Sequence, residues 1–132
     1  MDRKSRIALL VEHFERPRHK GTLEDADVVM PGGSPDCGGS MVVYLKGDGN
    51  GKVEALSWTG QGDTISMGVA SIVVDRVLSE GLSMDRILEE DYEELINSIG
   101  RDIIGNRTRH ATLGLSTVKA AVRQYRRMVI TA

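Results

Sequence analysis

Two short runs rich in β-branched and aromatic residues, Met41 to Lys46 (MVVYLK) and Lys52 to Thr59 (KVEALSWT), flank the segment Gly47-Asp48-Gly49-Asn50-Gly51. Glycine and asparagine reach the positive φ values of a tight turn, so this pattern predicts an antiparallel hairpin. After Thr59 the apolar period changes from two to about 3.6. Ile65, Val69, Ile72, Val73 and Val77 fall on one side of a helix that stops before Gly81, with Asp63 or Thr64 placed to cap its start. Strands therefore precede helices. That order predicts an α+β domain, a small antiparallel sheet of about three strands with helices packed on one face.

The remaining segments fit this plan. Ile7, Leu10, Val11 and Phe14 recur at helical spacing between Ser5 and Arg16, and Pro17 ends that helix. From Gly21 to Gly39 prolines, glycines and acids predict an extended or looping stretch, with a first strand starting near Val28. Ser83 can cap a short turn through Leu88. Tyr92, Leu95, Ile96 and Ile99 form another helical face ending at Gly100. The last helix, from near His110, groups Leu115, Val118, Val122, Tyr125 and Val129, and turns Arg123, Arg126 and Arg127 away from them. At 132 residues, 40% hydrophobic and 27% charged, residues 1–132 read as one globular domain rather than a disordered or fibrous chain.

Charge is distributed unevenly. Residues 1–21 carry +3, residues 22–100 carry -11 and residues 101–132 carry +6, which predicts that the basic ends pack against the acidic middle. A nucleic-acid partner is not expected, because the chain is acidic overall and its five aromatics form no stacking motif. No apolar run approaches the roughly 18 to 20 residues of a membrane span. Glu12 and Glu15 stand where a signal peptide would need its cleavage site, so the expected location is the cytoplasm, with no membrane partner.

Three segments interrupt the periodic background: Pro35-Asp36-Cys37-Gly38-Gly39, Gly60-Gln61-Gly62-Asp63 and Arg107-Thr108-Arg109-His110. Each borders a regular element and carries one group able to bind a transition metal: the Cys37 thiolate, the Asp63 carboxylate and the His110 imidazole. Gly38 and Gly39 allow close backbone approach, and Arg109 adds a cation. Cys37 is the one cysteine, so neither an intrachain disulfide nor a four-cysteine metal knot can form. Spacings of 26 and 47 residues match no compact ligand motif. Taken singly, the three residues read as a small buried hydrophobe, a helix cap and a surface or packing histidine.

Together the same segments resemble a family. HFERPRHKGTLEDADVV (His13 to Val29), PDCGG (Pro35 to Gly39), GQGDTISM (Gly60 to Met67) and RHATL (Arg109 to Leu113) are similar, in order, to the H-Y-x-N-P-R-x-x-G, P-x-C-G-D, G-x-G-C-[ST]-I-S and C-A-T-L patterns of the U-type iron-sulfur cluster assembly proteins. That family comprises IscU, the N-terminal domain of NifU and, most similar here, SufU. In it three cysteines and an aspartate hold zinc or a nascent cluster, and a cysteine desulfurase supplies sulfur. The resemblance keeps the first cysteine as Cys37, puts Gly39 in place of the aspartate, and puts Asp63 and His110 in place of the second and third cysteines. The chaperone-docking LPPVK segment falls on Ile103 to Arg107 and is not preserved.

The resemblance thus implies a scaffold or sulfur-transfer protein rather than a turnover enzyme. It implies zinc, iron or an iron-sulfur cluster held by Cys37, Asp63 and His110, with Cys37 as persulfide acceptor. A cysteine desulfurase and recipient apoproteins are the implied partners, and a homo-oligomer is left open. One alternative is a ligand-depleted paralogue that regulates the same machinery. Another is a Cys-His-Asp hydrolase, since the three residue types also compose a nucleophile, a base and an orienting acid.

Overall fold

The computed structural model describes residues 1–131, with backbone alone for Cys37 and Thr131. Its elements run α1 (Arg3–Glu15), β1 (Val28–Ser34), a 3-10 turn (Pro35–Cys37), β2 (Gly39–Gly47), β3 (Val53–Gly62), α2 (Thr64–Ser79), α3 (Met84–Glu89), α4 (Tyr92–Ile99), α5 (Arg101–Ile104) and α6 (Thr108–Thr131). The predicted α+β architecture is present: one antiparallel sheet of three strands in the order β1-β2-β3. Among the described residues no helix is long and apolar enough to cross a membrane.

Strand β2 is central, and its alternation sends Met41, Val43 and Leu45 into the core and leaves Val42 and Tyr44 half-buried on the other face. Register joins Val28 to Leu45 on one side and Leu45 to Leu56 on the other. Helices α2 and α6 lie across the inner face and against each other, and α1 packs on the outside of α2. The close approach of α2 and α6 needs Gly114, where a Cβ would stand 2.6 Å from the Ala70 Cα. Val43, Leu45, Trp58, Val69, Val74, Val118 and Val122 fill the centre.

The structure corrects several details of the sequence reading. Helix α1 begins two residues earlier, because the Asp2 carboxylate caps it by accepting the Ser5 N–H at 2.8 Å. Its buried face is Leu10 and His13, while Val11 and Phe14 are exposed, because α1 packs mainly on α2 along one side. Helix α2 is not one-sided: Ser66, Met67, Gly68, Ala70, Ser71 and Val74 are buried as well, since α1, α6 and the sheet surround it. Val129 is 49% exposed, as α6 runs past the sheet at its end. Helix α5 was not foreseen, and α6 starts at Thr108.

Candidate functional site

Strand β1 ends at Ser34, and the chain reverses through the Pro35–Cys37 turn into β2. The reversal closes at Gly38, whose φ of 87° lies in the left-handed region where a side chain is strained. Register then pairs Gly39 with Gly62, so the turn carrying Cys37 meets the end of β3. One residue later Asp63 opens α2. The Gly38 carbonyl accepts the Asp63 N–H at 3.3 Å and the Ser66 hydroxyl at 3.0 Å, locking the turn to the first turn of α2.

Asp63 has two occupied oxygens. Oδ1 accepts the Ser66 N–H at 2.8 Å, the cap that its position before a helix predicts. Oδ2 lies 2.6 Å from His110 Nδ1, on the first turn of α6. The imidazole rests against Gly38: a Cβ built there would overlap the ring at Nδ1, Cε1 and Nε2. Both side chains are partly open to solvent, His110 at 25% and Asp63 at 33% exposure. A shallow cavity of 310 Å³ lies beside them, bordered by Pro35, Gly38, Gly39, Ser40, Gln61 and Asp63.

Burial works against the Asp63 carboxylate, but the Ser66 amide, the His110 ring and the Ser66 side chain together outweigh it. Its pKa lies below the ordinary 3.8. The acid is therefore ionised at neutral pH and has no proton to give. It follows that the hydrogen shared with His110 sits on Nδ1.

The structure thus brings the Asp63 and His110 side chains together and sets the backbone of Gly38, next to Cys37, against the imidazole. Among the described residues no three His, Cys, Asp or Glu side chains form a group able to hold a metal ion, and the Cys37 side chain lies outside them. Gly39, the position of the family's aspartate, is buried. A Cβ there would stand 2.9 Å from Ser66 Oγ and 3.0 Å from the Gln61 carbonyl, so this packing leaves no room for a carboxylate. Arg109 is exposed. Sequence reasoning passed over Ser66, whose amide caps onto Asp63 and whose hydroxyl holds the turn. The Asp-x-x-Ser spacing at a helix start was its signal.

A three-stranded antiparallel sheet backed by two long helices, with the Pro35–Cys37 turn, Asp63 and His110 near one end, defines the α+β class of the molecule. The chain belongs to the NifU-like N-terminal domain family, whose model matches residues 7–132. It is 27% identical over 117 residues to the iron-sulfur cluster assembly scaffold protein IscU of Aquifex aeolicus, covering 88% of this chain and 73% of that one. It is 31% identical over 98 residues to the zinc-dependent sulfurtransferase SufU of Bacillus subtilis, covering 67% of this chain and 65% of that one. Among solved structures, a nitrogen-fixing NifU-like protein (N-terminal) from Brucella abortus shares the fold, with a TM-score of 0.75 at 16% identity over 96% of this chain and 99% of that one.

Proposed function

We propose that this chain is a cytoplasmic iron-sulfur cluster assembly protein. It receives sulfur from a cysteine desulfurase on Cys37 and holds iron, zinc or a nascent cluster, for recipient apoproteins, at the rim made by Cys37, Asp63 and His110. The observation that carries this reading is the 2.6 Å pairing of Asp63 with His110 against the glycine that follows Cys37. These are the two positions where the resemblance puts family cysteines, and they are paired with each other. The donor chemistry fits: thiolate and imidazole nitrogen suit zinc and iron, and metal-binding histidines commonly carry a carboxylate on the other ring nitrogen.

Sulfur acceptance requires the Cys37 thiolate to attack the outer sulfur of a desulfurase persulfide. A new S–S bond forms on Cys37, the bond to the desulfurase cysteine breaks, and the leaving thiolate takes up the proton that Cys37 lost. An unperturbed thiol, with a pKa near 8.5, is largely protonated at neutral pH. His110, whose ring lies against the glycine next to Cys37, is a group able to take that proton. Mass spectrometry after incubation with a cysteine desulfurase and cysteine tests the reading. Wild type gains one or more sulfur atoms and Cys37→Ser gains none; persulfide on the Cys37→Ser protein overturns the relay.

One observation favours a second reading. His110 backed by Asp63 is also the base-and-orienter pair of a cysteine hydrolase. Ester hydrolysis that survives chelators and disappears in His110→Ala would select it.

A further inference from the structure

We propose that Asp63 is a positioning residue of this rim. It acts through His110, holding the imidazole as the Nδ1–H tautomer and presenting Nε2 as the working donor. The inference rests on the proposed function only for what Nε2 then binds; the pairing itself stands on the geometry.

Both oxygens of Asp63 are committed inside the chain. Oδ1 satisfies the Ser66 N–H, one of the amides that a helix start leaves without a partner. Oδ2 accepts from His110 Nδ1. To turn either oxygen toward an ion would uncap α2 or release the imidazole. The ring is also held from the other side, because Gly38 leaves the space that His110 fills and its carbonyl is pinned by Ser66 and Asp63. The ring is therefore located by three elements: the Pro35–Cys37 turn, the start of α2 and the start of α6. A neutral imidazole has one N–H and one lone pair. With the hydrogen on Nδ1, the lone pair is on Nε2. The substitution pattern becomes intelligible: the two positions cooperate to make one well-oriented nitrogen donor, with the carboxylate behind it.

Nitrogen-resolved NMR of the full chain, with its three histidines assigned using His110→Ala, tests this without any sulfur-transfer assay. Metal-free wild type should show His110 protonated at Nδ1 and bare at Nε2, and added zinc should bind at Nε2 with the Nδ1–H kept. Asp63→Ser leaves a hydroxyl to cap the Ser66 amide but is too short to reach His110. It should shift the tautomer toward Nε2–H and weaken zinc binding about 10- to 100-fold. Asp63→Asn keeps one acceptor oxygen for the cap but turns an NH2 donor toward Nδ1, so it should favour the Nε2–H tautomer as Asp63→Ser does and should not rescue zinc binding. A wild-type ring protonated at Nε2 overturns the proposal. So does an Asp63→Ser protein with unchanged tautomer and zinc affinity, or loss of the Nδ1–H when zinc binds. If the pairing behaves as expected but neither zinc nor iron is retained, the pairing stands and the proposed function fails.

Discussion

At the scale of single residues the site depends on what is missing as much as on what is present. Gly38 combines a left-handed backbone with direct contact to the His110 ring. Gly38→Ala should cost about 1–2 kcal/mol for the backbone conformation alone. It should also push the imidazole off Asp63, because the added methyl occupies the space of the ring. Urea denaturation reads the first effect and the His110 tautomer reads the second; an alanine variant with wild-type stability and an intact pairing would show that Gly38 is not what places the ring. Much of this was legible in the sequence. Asp63 as a cap follows from its place before an apolar helical run, and Cys37, Asp63 and His110 stood out as ligand types at element borders. The Asp63–His110 bond was not legible from periodicity, because it joins residues 47 apart. The burial of Gly39 depends on Ser66 and Gln61, neighbours that no local pattern reveals.

At the scale of elements, α2 organises the molecule, and α1 is fastened to it by a buried polar contact. His13 Nδ1 lies 2.8 Å from Ser71 Oγ, and the same hydroxyl accepts the Arg18 N–H at 2.8 Å, tying the loop after α1 to α2. Burial lowers the His13 pKa below the usual 6.5, with the Arg18 charge adding to it. The fold therefore prefers neutral His13, and the unfolded chain binds more protons between that lowered value and 6.5. Stability from this group is complete above about pH 6.5 and is lost as the pH falls through the folded pKa. Denaturation midpoints across pH 4 to 8, roughly the range in which histidine charging acts, should fall more steeply on the acid side in wild type than in His13→Asn. Equal slopes would remove His13 as the source. Strands and long helices were readable because periods of two and 3.6 differ. Periodicity cannot say how many neighbours a helix has, so the exposure of Val11 and Phe14 on α1 and the all-round burial of α2 were missed. Helix α5 has four residues, too few to repeat an apolar face.

At the scale of the whole molecule, the expected attraction between basic ends and acidic middle is partly realised. Arg126 meets Asp85 at 2.5 Å, but Arg3 and Arg6 pair with Asp102, an acid of the C-terminal third. These pairs are largely exposed, and contacts of that kind contribute little to stability. Cohesion comes from the apolar core around Trp58, whose indole N–H donates to the Arg18 carbonyl at 2.9 Å. That core holds the ends of β1, β3, α2 and α6 at one rim, the place proposed for the cargo. The most direct test is metal and sulfide analysis, with visible absorption, of protein prepared without oxygen, wild type beside His110→Ala. Wild type should retain zinc, iron or a coloured cluster, and His110→Ala should lose most of it while staying folded. Equal metal content in the two proteins, or none in wild type under those conditions, would contradict the assignment of this rim as the place where the cargo is held.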